Sequence, residues 1–299
     1  MSAPAARIQE YLRASAARVR ETERIGPFLA TFDRESDNPY LSYAVPDDGA
    51  APSTREVDDL IAAYQRRGRT PRLEYLAVVA PKVEAALTGG GFAVEGRLAV
   101  MTCTPDSLVD LPTPEGFELV MPRSDEDVLG LVTAQGEAYD GFLSGPAEDG
   151  ARMRRNLAAG GIAVLARAVG TGEAAGGGIC SAPEDGITEI ASVGVRPTFR
   201  RRGIAGAVVA RLTREAFAAG IGLPFLTPES EAEERIYARA GYTRYPRSCT
   251  SRVAEGRVFV ALIFQACERL CTLAAPNPPA TAVPARRHQD RIPRRISQC

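Results

Sequence analysis

A basic turn that contains a glycine joins an apolar strand to an amphipathic helix within residues 187–212, ITEIASVGVRPTFRRRGIAGAVVARL. A glycine in such a turn lets the backbone approach a ligand closely. The first N–H groups of a helix have no acceptor within the helix, and they lie at the positive end of its dipole. The segment therefore predicts a cradle for a di-anion such as a pyrophosphate. Its residues are Arg200, Arg201, Arg202, Gly203, Ile204, Ala205 and Gly206.

Two other phosphate-binding motifs do not occur in this sequence. One is the nucleotide P-loop G-x-x-x-x-G-K-[ST], and the other is the dinucleotide fingerprint G-x-G-x-x-G. The alternative to a phosphate cradle is a solvated basic turn that opens an ordinary helix.

The strand before the turn carries one carboxylate, Glu189, among mostly apolar residues. Burial raises the pKa of a carboxyl group toward the range in which it can accept a proton from an ammonium or a water. Glu189 can also bind substrate or form a structural ion pair. Alternation in steps of two predicts that one face of the strand carries Ile187, Glu189, Ala191, Val193 and Val195.

Residues 223–242, LPFLTPESEAEERIYARAGY, predict a short strand, a capped helix and a second strand. Ser230 and Glu233 fit the S-x-x-E capping box, and Gly241 fits the position after a helix end. Tyr237 lies on this helix, where it is either a proton donor or a core residue. Pro224 cannot donate to a sheet ladder, which favours a strand that diverges from its neighbour.

Together these segments resemble the signature of the GNAT N-acetyltransferases. The first motif, V-x-P-x-x-R-x-x-G-x-G/A, is matched by Val195, Pro197, Arg200, Gly203 and Ala205. The second, N-x-x-A-x-x-L-Y-x-x-x-G-F, is aligned on the tyrosine and the glycine. It departs from the family in having serine where asparagine is usual and glutamate where alanine is usual.

The resemblance implies a GNAT fold, an α/β (α+β) architecture in which helices flank a mixed central sheet, and acetyl-CoA as co-substrate without a metal. It implies that Tyr237 protonates the departing CoA thiolate. It also implies a general base at Glu189, six residues before Val195, although members of the family also use other residues or water. The cofactor contacts that it implies lie at the strand end, in the turn and at the helix cap: Val193, Gly194, Val195, Arg200, Arg201, Arg202, Gly203, Ile204, Ala205, Gly206 and Ser230.

The length of the chain, 299 residues, is ample for two cores. Residues 73–92 repeat the strand, helix, glycine and aromatic order of residues 223–242 at an offset of 150. The same offset sets a strand at residues 40–45 against residues 190–195, and a helix at residues 54–67 against the helix after the basic turn. The first half has Pro52 and no glycine at the position of the cradle, and Leu87 stands opposite Tyr237. We therefore predict two GNAT-like halves packed together, of which the first is a non-catalytic partner that shapes the acceptor pocket.

The predicted domains are a degenerate GNAT-like domain at 1–104, a Pro-containing linker at 105–116, a catalytic domain at 117–265 and a disordered Pro/Arg-rich tail at 266–299. Residues 2–24 predict an amphipathic helix, docked or solvated rather than lying on a membrane. Residues 258–264 predict a last strand. Gly176, Gly177 and Gly178 indicate either a bulge or a close approach of substrate.

Composition excludes several other classes of enzyme. The single histidine, His288, lies in the tail, so Ser-His-Asp and Cys-His catalysis have no base within the predicted domains. The six cysteines are scattered and lack the paired spacing of a zinc site, so buried or idle thiols are expected. A formal net charge of −1 argues against a general nucleic-acid binder. No signal peptide or membrane-spanning run is present, which favours the cytoplasm.

We therefore expect an N-acyltransferase that moves an acetyl group from acetyl-CoA to a primary amine by direct attack, without a covalent enzyme intermediate. The acceptor is a small-molecule amine or a protein amine, and no nucleic-acid or membrane partner is expected. The alternative is a non-catalytic module that binds or senses acyl-CoA.

Overall fold

The first half of the chain consists of a helix, three strands, a helix, a strand, a helix and a strand. The computed structural model describes residues 4–34, 36–139, 141 and 145–255, with the side chains of residues 246–255 left out. The elements of the first half are α1 (Pro4–Val19), β1 (Glu21–Ile25), β2 (Phe28–Phe32), β3 (Ala44–Pro46), α2 (Thr54–Gln65), β4 (Arg72–Leu76), α3 (Val83–Gly89) and β5 (Phe92–Thr102).

Two elements predicted from the sequence in this half have one boundary in the wrong place. The predicted helix over residues 2–24 ends at Val19, because residues 21–25 form β1 and pair with β2 in an antiparallel hairpin. The predicted strand at residues 40–45 begins only at Ala44, because Pro39–Leu41 form a 3₁₀ turn in which the Asn38 side chain accepts a hydrogen bond from the Tyr40 N–H at 3.0 Å.

The second half repeats the order of elements in the first, with an added edge strand and one added helix. Its elements are β6 (Phe117–Val120), α4 (Asp125–Ala138), α5 (Pro146–Ala158), β7 (Ile162–Ala168), β8 (Ala174–Cys180), β9 (Ile187–Val195), α6 (Ile204–Ala218), β10 (Leu223–Leu226), α7 (Glu231–Arg239) and β11 (Thr243–Glu255). Ser230 is the N-cap of α7, as predicted, and its side chain accepts from the backbone N–H three residues on. Ser124 caps the start of α4 in the same way. The predicted strand at residues 258–264 and the predicted tail lie outside the described residues.

The strands of both halves form one sheet, in the order β1-β2-β3-β4-β11-β5-β10-β9-β8-β7-β6. Two strands are exchanged between the halves. β11 lies between β4 and β5 of the first half, and β5 lies between β11 and β10 of the second. Each half therefore completes the sheet of the other, and Met1–Gly256 form a single compact unit. The domain limits at 104 and 117 stay predictions, since the sheet crosses them.

Helices cover both faces of this sheet. On one face, α1 packs against strands of both halves: Ile8 and Tyr11 share a buried cluster with Val45 of β3 and Phe225 of β10. The rings of Tyr11 and Phe225 meet edge to face at a centroid distance of 5.5 Å. Helices α4 and α5 pack on β7 and β8 in a separate cluster. The opposite face is covered by α2 and α3 in the first half and by α6 and α7 in the second.

The segment between β5 and β6 has no helix or strand and runs across α6 and α7. The Val109 N–H donates to Ala240 O at 3.2 Å, and Asp110 forms an ion pair with Arg214 at 3.0 Å. Gly241 has φ +95°, and a Cβ there would lie 1.9 Å from Ser107 O. Glycine is needed here for two reasons: the left-handed conformation at the predicted helix end, and the close contact with the segment at Ser107.

Two cysteines, Cys103 and Cys180, are buried as free thiols, as the sequence predicted. Burial raises the pKa of Cys180 to about 12, which keeps its thiol protonated and unreactive. No helix within the described residues is both long and apolar enough to cross a bilayer.

Candidate active site

A β-bulge interrupts β9 at Ser192. Gly177 pairs with Gly194, but Ile179 pairs with Ala191, so the register with β8 shifts between these positions. Ser192 has φ +52°, a left-handed conformation that is rare for a serine. The predicted alternation of side chains is therefore wrong beyond this point, because the bulge reverses it.

The bulge separates side chains that the sequence placed on one face. Val193 and Val195 pack against the cluster of α6. Glu189, before the bulge, lies on the face of α1 beside Tyr11. A bulge, one of the two predictions from the three glycines of β8, is observed on the facing strand β9, and a close approach of substrate stays a prediction. A Cβ at Gly177 would lie 2.3 Å from Val164 O, so close packing also requires a glycine there.

Two side chains of the second half hold the carbonyl groups of the bulge. Gln135 donates from Nε2 to Ser192 O at 2.7 Å, and the Tyr139 hydroxyl donates to Val193 O at 3.2 Å. In a planar trans peptide the N–H points opposite to the C=O. The Val193 N–H therefore points away from Gln135.

Strand β10 leaves a gap beside the bulge. It pairs with β9 only over Leu223–Phe225, so the edge of β9 beyond Glu189 faces no strand in this region. The pairing of β9 with β8 and with β10 passes over Val193, which has no partner residue on either strand. A fixed donor beside an open gap can polarise a carbonyl group that enters it.

The basic turn forms a cradle of backbone donors at the start of α6. Gly203 is the N-cap with φ +83°, and Arg201 also has a left-handed conformation with φ +63°. The first backbone hydrogen bond of α6 runs from Ala207 N to Gly203 O. Within the described part of the chain, no group accepts from the N–H groups of residues 201–206. These donors fit a pyrophosphate, and no side chain caps this helix.

The three arginines of the turn differ in their surroundings. Arg200 holds the turn in place, since its Nε donates to Val195 O at 3.1 Å and its Nη2 donates to Ala138 O at 3.0 Å. Arg201 and Arg202 are exposed and have no ion pair with any described carboxylate. The guanidinium of Arg202 lies over the rings of Phe117 and Phe199, at 5.8 and 5.7 Å from their centroids. The contacts of all three arginines with the cofactor stay predictions.

Tyr237 lies on α7 with its ring buried in the cluster shared with α6. No described group forms a hydrogen bond with its hydroxyl. Burial, and next the negative charge of Glu233 one turn earlier, raise the pKa of Tyr237 above its ordinary value. The side chain of Ser230 caps the helix by accepting from Glu233 N, but Glu233 accepts from Glu229 N rather than closing the predicted capping box.

Glu189 is half-buried and lies in a group of polar side chains under α1. Its N–H donates to the Tyr11 hydroxyl at 3.4 Å, and its charge acts on both Tyr11 and Tyr43. Burial, with the charge of Glu189 second, raises the pKa of Tyr11 to about 12. Glu189 and Tyr237 thus lie toward opposite faces of the sheet, on the two sides of the gap.

Comparisons with known proteins agree on one family. The model of the acetyltransferase (GNAT) family matches residues 133–242. This part of the chain belongs to the GNAT family. It contains the bulge, the gap, the cradle and Tyr237, so the predicted family and fold are confirmed.

Solved structures of GNAT proteins share this fold. A GCN5-related N-acetyltransferase from Kribbella flavida is 25% identical over 85% of this chain and 96% of that chain, with a TM-score of 0.70. A GCN5-related N-acetyltransferase from Sphaerobacter thermophilus is 20% identical over 77% of this chain and 76% of that chain, with a TM-score of 0.58. No curated protein sequence matches the chain significantly.

A tandem GNAT protein from the clavulanic acid biosynthesis pathway has a similar fold. It is 12% identical over 77% of this chain and 79% of that chain, with a TM-score of 0.56. At this identity the likeness concerns the fold alone. It agrees with the repeated order of elements in the two halves.

The first half lacks the cradle of the GNAT domain. Ser53, the N-cap of α2, accepts a hydrogen bond from Glu56 N at 3.3 Å, and the Glu56 carboxylate accepts from Ser53 N at 2.7 Å. These hydrogen bonds lower the pKa of Glu56, so a carboxylate stands at the start of this helix. An incoming phosphate would meet a capped helix and a negative charge.

A cavity of about 240 Å³ lies on the α1 face, between the two halves. The end of α1 and the loop after β2 line it from the first half. Helices α4 and α5 and strands β8 and β9 line it from the GNAT domain. Ser192 and Gln135 are among its walls, so the cavity reaches the bulge.

Sequence reasoning missed Gln135 and Tyr139, which aim the peptides of the bulge. Gln135 lies on α4 and Tyr139 directly follows that helix as its C-cap, and no motif in the sequence distinguishes either of them. The glycines on the facing strand did indicate a bulge as one of two interpretations, but not its position at Ser192.

Proposed function

We propose that this protein is an acetyl-CoA-dependent N-acetyltransferase that moves an acetyl group to a primary amine by direct attack. The observation that carries the proposal is the start of α6, where the N–H groups of residues 201–206 have no acceptor among the described residues. A helix start of this kind binds phosphate groups. Arg201 and Arg202 add positive charge at the same place.

The chain provides two groups beside the gap: a backbone hydrogen-bond donor and a general acid. Acetyl-CoA supplies an activated thioester, so the protein needs only to position it and to move protons. The Val193 N–H donates to the carbonyl oxygen of the thioester and stabilises negative charge that develops there. The Tyr237 hydroxyl donates its proton to the leaving sulfur, and its raised pKa keeps it protonated at neutral pH.

The amine approaches from the cavity on the other side of the gap. It must lose a proton before or during attack, and Glu189 is the candidate acceptor. Tyr11 connects Glu189 with the cavity, since its hydroxyl lies close to Ser15 and Ser181, which line the wall. The Tyr11 hydroxyl accepts from the Glu189 N–H, so proton transfer from the amine to the Glu189 carboxylate would pass through water.

Thiol release from acetyl-CoA in the presence of a panel of primary amines tests the proposal. Cofactor binding is measured in parallel by calorimetry. Thiol release that depends on both the amine and Tyr237 supports an acetyltransferase. Tight binding of acetyl-CoA without thiol release for any amine would instead support a binding or sensing module.

A further inference from the structure

The cavity between the halves contains an unusual concentration of arginine. Among the described residues, its walls include Arg18, Arg20, Arg152 and Arg155 and two carboxylates, Asp33 and Asp149. The chain as a whole carries a formal charge of −1, so this excess of positive charge is local. A cavity lined in this way favours an anionic group on its ligand.

Of these arginines, Arg20 is the one best placed to bind a ligand. Arg18 forms an ion pair with Glu184, and Arg152 forms one with Asp149 at 2.8 Å. Arg20 forms no ion pair with any described carboxylate.

The half-buried guanidinium of Arg20 is held in place by two neutral groups. It lies over the Tyr43 ring at 4.3 Å, and it donates weakly to the Thr31 hydroxyl at 3.4 Å. Stacking on an aromatic ring fixes the plane of a guanidinium and leaves its edge available for a carboxylate or a phosphate.

The other end of the same cavity is the bulge. Ser192 and Gln135 form this wall, and the Val193 N–H that would polarise the thioester belongs to the same peptide as Ser192 O, which Gln135 holds. A ligand whose anionic group binds Arg20 can therefore point a second group toward the gap. The volume, about 240 Å³, suits a small molecule.

We propose that the acceptor is a small molecule that carries a primary amine and an anionic group, a carboxylate or a phosphate, and that Arg20 of the first half binds the anionic group. The inference rests on the proposed acetyltransferase function. It gives the first half a direct part in recognising the acceptor, although that half has no cradle of its own.

Matched pairs of amines test the inference on the full-length protein. β-Alanine is compared with β-alaninamide, and phosphoethanolamine with ethanolamine, by thiol release from acetyl-CoA. In at least one pair, the anionic member should have a kcat/KM at least tenfold above that of its neutral partner. The pair that shows the larger ratio identifies carboxylate or phosphate as the anion. Equal values within both pairs would overturn the inference, while thiol release itself would uphold the acetyltransferase.

Arg20→Met should bring the ratio of kcat/KM for the anionic amine to kcat/KM for the neutral amine close to one. The kcat/KM of the neutral amine itself should change by less than threefold. Arg20→Glu should reverse the ratio, so that the neutral amine is preferred. Arg24→Met is the matched control, because Arg24 is an arginine of the same half that pairs with Asp47 and does not line the cavity. This control should keep the wild-type ratio, and a wild-type ratio in Arg20→Met would contradict the inference.

Binding gives a readout that does not depend on turnover. With CoA present, the anionic member of the pair should raise the thermal midpoint of the wild-type protein but not that of Arg20→Met. If acetyl transfer fails for every amine while this difference persists, the proposed function fails and the anion site stands. If the midpoint shift is equal in both proteins, the site is wrong.

Discussion

Ser53 and Gly203 hold the same position, the N-cap, on two helices whose starts lie 150 residues apart. The Ser53 side chain and Glu56 close the first helix by reciprocal hydrogen bonds. Gly203 has no side chain to close the second, and the N–H groups of residues 201–206 have no acceptor among the described residues. The difference between a helix that caps itself and one that stays open gives only one half an anion site.

Gly203→Glu should abolish binding of CoA. The new carboxylate would stand in the cradle, and a non-glycine residue at φ +83° is strained by about 1 kcal/mol or more. Calorimetric titration with CoA measures the effect. Gly220→Glu is the matched control, since Gly220 follows the same helix with φ +81° and has open space around it. The control should bind CoA normally, and binding by Gly203→Glu within a few-fold of wild type would count against the site.

Tyr237→Phe should slow turnover by roughly 10- to 1000-fold while CoA binding stays intact, as expected for the loss of a general acid. Tyr139→Phe is the comparison, because Tyr139 lies close to Tyr237 and its hydroxyl is already engaged with Val193 O. A larger loss in Tyr139→Phe than in Tyr237→Phe would assign the acid to Tyr139.

The pH dependence of turnover provides a second test of Tyr237. Burial, followed by the charge of Glu233, raises its pKa above 10, so the acid form persists through the neutral range. Turnover of the wild-type protein should rise with pH as the amine loses its proton. Below pH 10, its pH profile should show no decline that depends on Tyr237. A descending limb near pH 8 that disappears in Tyr237→Phe would show that the pKa is lowered rather than raised.

Gln135→Leu should lower kcat about tenfold with unchanged CoA affinity. Without its hydrogen bond to Ser192 O, the Val193 N–H loses its fixed direction, and a single oxyanion donor contributes roughly 10²–10³ to kcat. Gln9→Leu is the control, because Gln9 is another buried glutamine that binds backbone groups, Pro46 O and Leu76 N. Both variants should lose about 1–3 kcal/mol of stability. Equal effects on kcat would show that Gln135 acts only through stability.

The two halves, expressed separately as residues 1–110 and 111–299, should each fail to form a stable monomer. Without β5, the second half has no strand between β10 and β11, and the first half without β11 has an open place beside β4. Co-expression should give a folded complex, as seen by circular dichroism and size-exclusion chromatography. Cooperative melting of either half alone, within a few degrees of the full chain, would contradict the strand exchange.

Local signals were sufficient to predict much of the fold and the cradle. The turn at Arg200–Ala205, the cap at Ser230 and the elements within each repeated half depend on residues that are near one another in sequence. Helix ends and tight turns are determined by such neighbours. The start of α6 and the element order of the GNAT domain were therefore accessible without a structure.

The remaining features depend on contacts between distant residues. The exchange of β5 and β11 joins strands that are about 150 residues apart. The sequence of either strand would look the same if the strand paired within its own half. The bulge at Ser192 depends on how β9 meets β8, Gln135 and Tyr139. Periodicity alone assumes an unbroken strand and so placed Val193 on the face of Glu189.

A crystal structure of the protein with CoA tests the central claim most directly. The account predicts that the pyrophosphate oxygens lie about 3 Å from the N–H nitrogens of residues 201–206, with Arg201 or Arg202 close to the phosphates. It would be contradicted by CoA bound elsewhere on the chain, or by a complex in which those N–H groups donate to protein atoms instead.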